Sequence, residues 1–123
     1  MHVSVSPGRF ERSARLLRPE EFKRVFEQPQ RLSSRNLMVY ARVNGVGYAR
    51  LGLAISKKAV PRAVDRNRVK RVTRASFRLS KLRTRGWDII VMCRNGGVLV
   101  DNVETHRALV DMWRRLEGKC ADS

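Results

Sequence analysis

The chain has 123 residues, enough for one domain, and carries 27 Lys and Arg against 11 Asp and Glu for a formal net charge of +16. Such a surplus repels itself in a compact fold, so a polyanion is its natural counterweight, and the excess of Arg over Lys favours nucleic acid, because the guanidinium fork grips phosphate and stacks on bases. With 42% hydrophobic residues in patterned runs, the chain is not globally disordered, and without a long apolar run or lipidation motif a membrane partner is not expected.

In chain order, residues 1–15 read as a flexible basic arm, residues 16–117 as one domain and residues 118–123 as a tail. Pro19, Glu20 and Glu21 suit a helix N-terminus. Phe22, Val25 and Phe26 then follow at i, i+3 and i+4, which predicts a short amphipathic helix over about 19–28, ended by Pro29. Residues 37–43 alternate, with Leu37, Val39, Ala41 and Val43 on one face and Met38, Tyr40 and Arg42 on the other. Asn44-Gly45 supplies turn chemistry. The next run, 49–56, sets Leu51, Leu53 and Ile55 opposite the small residues Gly52, Ala54 and Ser56. The two runs read as an antiparallel hairpin whose small-residue face admits close approach.

From about residue 66 the pattern turns helical. Val69, Val72, Ser76 and Leu79 share one arc, and Lys70, Arg71, Arg74, Arg78 and Lys81 share another. Gly86 breaks the pattern. Residues 87–93 form a strand apolar enough to be central, and Asn95-Gly96-Gly97 turns the chain. Asp101 and Glu104 resemble a capping box for a last helix over about 102–117, packed through Leu109, Val110, Met112, Trp113 and Leu116. The order is α-β-β-α-β-α, an α+β fold of two layers with a short sheet covered by helices.

The chemistry concentrates in residues 62–85, which hold ten basic residues and one acid, Asp65. An ordinary surface helix mixes charges to form i, i+4 pairs, whereas Arg66, Lys70, Arg74 and Arg78 repeat one sign every four residues. That repulsion calls for an external anion. Arg66, Asn67 and Arg68, with Lys70 and Arg71, are expected at a helix start, where free backbone N–H groups already favour phosphate; Asn67 also suits a helix cap. Lys57 and Lys58 close the small-residue strand as a charged end. Phe22, Phe26 and Tyr40 fit either core packing or base stacking, and the residues alone leave both open. Asp65, among cations, suits a structural ion pair.

Other classes lack their signatures. There is no GxSxG, HExxH or Walker loop, and no carboxylate cluster for a protein metal site. His2 and His106 have no metal-ligand spacing. Cys93 and Cys120 lack CxxC spacing, so a buried free thiol and an incidental one are expected. No secretory signal is evident, and the expected setting is reducing and cytoplasmic. Two further readings remain: a structural RNA-binding protein of ribosomal type, and a DNA-binding regulator, which lacks helix-turn-helix spacing before residue 66.

The run Leu51-Gly-Leu-Ala-Ile-Ser-Lys-Lys58, then Arg66-Asn-Arg-Val-Lys-Arg71 and Arg74-Ala-Ser-Phe-Arg78, resembles the protein component of bacterial ribonuclease P. Arg18-Pro-Glu-Glu-Phe-Lys-Arg-Val-Phe26 and Trp87-Asp-Ile-Ile-Val91 extend the resemblance over roughly residues 9–117. It implies the same fold, with a left-handed βαβ crossover through the basic helix. It implies an enzyme that removes the 5′ leader of precursor tRNA, in which a catalytic RNA subunit does the hydrolysis with Mg²⁺ and the protein assists without catalytic or metal-binding residues of its own. By the same resemblance Arg66, Asn67, Arg68, Lys70, Arg71 and Arg74 would dock on that RNA. Phe22, Phe26 and Tyr40, with Ser56, Lys57 and Lys58 as polar rim, would hold the leader in a cleft between the first helix and the sheet. The implied partners are the RNA subunit and precursor tRNA, with no protein partner. One departure stands out: many members carry Gly-Asn where this chain has Pro61-Arg62.

Overall fold

The computed structural model describes Arg15 and residues 18–27, 29–34, 36–84, 86–94 and 101–121. His2, the rest of the N-terminal arm, the Asn95-Gly96-Gly97 turn and the Cys120 side chain lie outside them. The elements run α1 (Pro19–Glu27), β1 (Gln30–Ser33), β2 (Leu37–Val43), β3 (Arg50–Ala54), α2 (Ala63–Arg78), a short 3-10 helix (Lys81–Thr84), β4 (Trp87–Cys93) and α3 (Asn102–Ala121). The α+β class holds, with one strand more than the sequence order suggested. β1 has a single buried residue, Leu32, in four. So short and polar a strand at a sheet edge leaves almost no periodic signal.

The four strands lie in the order β1-β2-β4-β3. β2 is antiparallel to β1 and β4, and β3 is parallel to β4. The expected hairpin is therefore corrected: β4 inserts between β2 and β3. Its apolar run is buried from Trp87 to Val91, and a strand buried on both faces gains most at the centre of a sheet. The Asn44-Gly45 turn still forms, with Gly45 at φ +77°, but it serves a wider connection. Asn44 donates from Nδ2 to the Tyr48 carbonyl at 3.1 Å and accepts at Oδ1 from the Val46 N–H at 2.9 Å. Gly86 abuts this loop so closely that a Cβ there would strike the Val46 carbonyl oxygen.

Alternation divides the sheet faces. Leu37, Val39, Ala41, Leu51, Ile55, Ile89 and Val91 join the main core with Val69 and Phe77 of α2 and Leu109, Met112, Trp113 and Leu116 of α3. The intervening residues Tyr40, Ala54, Ile90 and Met92 face the other way and pack with Phe22 and Val25 of α1. Thus α2 and α3 cover one face, and the short α1 covers part of the other.

α2 begins at Ala63, earlier than expected, because Arg62 after Pro61 already takes the extended conformation of a capping residue (φ −86°, ψ 130°). Its buried residues are Val69, Thr73, Ser76 and Phe77. Leu79, placed by periodicity on the inner arc, is 75% exposed, because the helix ends at Arg78 and the 3.6-residue repeat stops with it. The buried hydroxyls are satisfied in series. Thr73 donates to the Val69 carbonyl at 2.7 Å, Ser76 to the Thr73 carbonyl at 3.0 Å, and Trp113 Nε1 to Ser76 Oγ at 3.0 Å. Phe77 meets the Trp113 ring edge to face, with centroids 5.6 Å apart. At the start of α3, Asp101 Oδ1 accepts from the Glu104 N–H at 2.9 Å, as the capping pattern predicted. α3 then runs on to Ala121, beyond the expected end near 117.

Candidate nucleic-acid interface

Register places three rows of side chains across the face that α1 partly covers. The first is charged: Arg42, Asp88 and Arg50 are neighbours on β2, β4 and β3. Arg50 donates from Nε and Nη2 to the two oxygens of Asp88, both at 2.8 Å. Its Nη1 reaches Glu21 of α1 at 3.3 Å, and Asn44 Nδ2 adds a bond to Asp88 at 2.8 Å. Asp88 holds the Arg50 guanidinium above its ordinary range, and Glu21 adds to the effect. At the other end of α1, Arg42 Nη1 donates to the Arg24 carbonyl at 2.8 Å, a cation on a helix C-terminal carbonyl. This charged row pins α1 at both ends.

The second row runs Arg31, Tyr40, Ile90 and Gly52, and the third Ser33, Met38, Met92 and Ala54. The Phe26 and Tyr40 rings meet edge to face, with centroids 5.1 Å apart, and Arg31 Cζ lies 5.8 Å from the Tyr40 ring centre. Phe26 is exposed, and Phe22, Tyr40, Met38 and Met92 are half-buried. The predicted aromatics thus come together as a partly open apolar strip, doing some packing while keeping accessible ring surface. Met38 and Met92 join it as polarisable neighbours. The sequence reading put Met38 on this face but did not include it, Met92 or Arg31 in the site. Arg31 stands on the strand that had no periodic signal; Met92 follows from alternation along β4 once its two partners are known.

Beyond Ala54, the chain turns through Ser56, Lys57 and Lys58, all exposed. Ser56 Oγ accepts from the Ala59 N–H at 3.1 Å, so this hydroxyl shapes the turn. Arg66 reaches back from α2, its Nη1 donating to the Val60 carbonyl at 2.9 Å and the Pro61 carbonyl at 2.8 Å. It latches the loop carrying the Pro61-Arg62 departure and joins the lysine turn to the helix.

The remaining expected RNA-docking residues all lie on α2, but not at its free start. The Arg66 N–H already bonds the Arg62 carbonyl at 3.0 Å. Free backbone N–H groups therefore do not accompany the motif, and Asn67, exposed in the second turn, does not cap the helix. Arg71 is exposed, and Arg68, Lys70 and Arg74 are half-buried. Asp65, expected in a structural ion pair, approaches Arg62 at 3.9 Å, a weak pair at the surface. Among the described residues no carboxylate pairs with Arg66, Lys70, Arg71, Arg74 or Arg78. The Arg74 guanidinium is held below its ordinary value by burial and secondarily by the charge of Arg15. Cys93 is half-buried rather than buried, and burial pushes its thiol up. No group of three or more His, Cys, Asp or Glu among the described residues could hold a metal ion, and no described helix is long and apolar enough to cross a membrane.

Comparison with known proteins matches this architecture. The ribonuclease P family model matches residues 10–117. The ribonuclease P protein component of Pseudomonas entomophila is 45% identical over 108 residues, covering 87% of this chain and 81% of that one. That of Chromohalobacter salexigens is 48% identical over 109 residues, covering 88% and 85%. The Staphylococcus aureus RNase P protein superposes with a TM-score of 0.73 at 27% identity over 85% of this chain and 94% of its own. For the Thermotoga maritima RNase P protein the values are 0.70 and 30%, over 82% and 96%. The chain therefore belongs to the bacterial ribonuclease P protein component family, as a subunit of the endoribonuclease of tRNA processing whose partner is the ribonuclease P RNA.

Proposed function

We propose that this chain binds the catalytic RNA subunit through α2 and the single-stranded 5′ leader of precursor tRNA along the strip beside α1. The observation that carries this reading is the α2 ridge, where Arg66, Lys70, Arg71, Arg74 and Arg78 pair with no carboxylate among the described residues while the buried acid Asp88 is committed to Arg50. Guanidinium forks at that spacing suit successive phosphates and 2′-hydroxyls. On the opposite face, Phe22, Phe26 and Tyr40 offer ring surface to unstacked bases, with Arg31 and the Lys57-Lys58 turn for their phosphates. The two faces meet at the loop that Arg66 latches. One domain can thus hold the RNA subunit and the substrate leader together.

Hydrolysis belongs in this reading to the RNA subunit, with Mg²⁺ held by RNA. Among the described residues no group of three or more His, Cys, Asp or Glu could hold a metal ion, and Glu21 and Asp88 both face Arg50. The protein's contribution is to neutralise phosphate repulsion and position the leader.

Binding assays test both halves. Arg68→Ala should weaken assembly with the RNA subunit about tenfold or more, the scale of one charge-assisted contact. Phe22→Ala should weaken the assembled enzyme's binding of precursor tRNA while leaving mature tRNA binding unchanged. Equal loss for both tRNAs would count against the leader strip.

A further inference from the structure

Between the end of α2 and α3 lies a cleft of about 390 Å³, in the range of about 300–1,000 Å³ typical of ligand sites. One wall is the turn Leu79-Ser80-Lys81. The other is a stripe of α3, with His106, Val110, Arg114 and Glu117 at i, i+4, i+8 and i+11 on one helix face. Trp113 and Ser76, both buried, complete the lining.

The polar groups of the lining fall into two sets. One set is already engaged within the protein. Trp113 Nε1 donates to Ser76 Oγ at 3.0 Å, Ser76 donates to the Thr73 carbonyl at 3.0 Å, and Ser80 Oγ donates to Glu117 Oε1 at 3.3 Å. The other set is cationic. Lys81 and Arg114 are exposed and pair with no carboxylate among the described residues. Between the two sets lie apolar groups, Leu79 exposed and Val110 half-buried. The cleft therefore suits a ligand that is flat and apolar in one part and anionic in another, which is the chemistry of a nucleotide taken out of its stack. An apolar peptide would leave the cations without a counter-charge, and a bare phosphate would leave Leu79 and Val110 in water.

We propose that this cleft takes one unstacked nucleotide of the ribonuclease P RNA, with its base against Leu79 and Val110 and its phosphate on Lys81 and Arg114. This rests on the RNA-binding reading above and adds a site beyond the α2 ridge. The RNA subunit is the source rather than precursor tRNA, because α2 and α3 cover the opposite face of the sheet from the strip proposed for the leader.

The test compares neighbours on α3. Arg114 and Arg115 are both exposed, but Arg114 lines the cleft whereas Arg115 lies outside it and approaches Asp111 at 3.7 Å. Affinity for the ribonuclease P RNA is measured over a salt series with the full chain carrying Arg114→Ala, Arg115→Ala or Leu79→Ala. All three positions are exposed, and thermal denaturation checks that each variant folds. Arg114→Ala should lose about tenfold in affinity, and the slope of log affinity against log salt should fall by about 0.7 to 1, the share of one phosphate. Arg115→Ala should stay within about twofold of wild type. Leu79→Ala should lose about fivefold with the slope unchanged, because it removes apolar contact and no charge. Precursor tRNA binding by the assembled enzyme should be unchanged in all three. Equal behaviour of Arg114→Ala and Arg115→Ala would overturn the site. So would a loss confined to precursor tRNA, or wild-type RNA affinity in Leu79→Ala, as for a cleft that takes an acidic peptide. Arg71→Ala on the ridge separates the site from the reading it rests on. Failure of the cleft variants while Arg71→Ala still weakens RNA binding overturns the site alone; wild-type RNA affinity in Arg71→Ala overturns the broader reading.

Discussion

Asp88 accepts two bonds from Arg50 and one from Asn44, and Arg50 passes a fourth contact to Glu21. Three segments thereby meet on one buried carboxylate, β4, β3 and the turn after β2, and α1 joins them through Arg50. A carboxylate at 2% exposure is tolerable only with its partners in place. Arg50→Ala should therefore lower the unfolding free energy by about 3–5 kcal/mol, the cost of stranding a buried charge, as read by urea denaturation. A change under about 1 kcal/mol, the range of an exposed pair, would show that the network is incidental. Because the same network pins α1, milder variants such as Glu21→Gln should alter the aromatic strip before they alter stability.

At the scale of elements, α2 divides its labour by face. Phe77 and Val69 are buried, while Arg71 on the outer side is exposed. Phe77→Ala should cost about 3–5 kcal/mol, from lost transfer energy and the cavity left against Trp113. Arg71→Ala should stay within about 0.5 kcal/mol of wild type and yet weaken RNA binding. Thermal denaturation and RNA titration of the same two variants check the split; parallel loss of both properties in Arg71→Ala would contradict it. The two faces of this helix were largely legible from a 3.6-residue period, as were β2 and β4 from their alternation. What escaped depended on partners distant in sequence. The β2–β3 hairpin expected from Asn44-Gly45 gave way because β4, more than thirty residues later, outcompetes β3 for the place beside β2. β1 escaped because only Leu32 of its four residues is buried. The site was legible in its residue types and not in its assembly. Phe22, Phe26 and Tyr40 were visible as aromatics, but Arg31 enters only through the register that sets it beside Tyr40. Arg66 read as one more phosphate ligand, and its use as a loop latch needed the path of Val60 and Pro61.

For the molecule as a whole, a net charge of +16 sets the terms. The sheet separates two surfaces, an aromatic and thioether strip pinned by one buried ion-pair network and a cationic helix on which Arg71 is exposed and Arg68, Lys70 and Arg74 are half-buried. Assembly with RNA follows as the relief of that repulsion. The most direct measurement is reconstitution of precursor tRNA cleavage by the ribonuclease P RNA at low Mg²⁺, with the wild-type chain and with a folded variant carrying Arg71→Ala, Arg74→Ala and Arg78→Ala. The wild-type chain should restore leader removal where the RNA alone is slow, and the triple variant should not. Equal rescue by both chains would contradict the claim that the ridge on α2 neutralises the RNA.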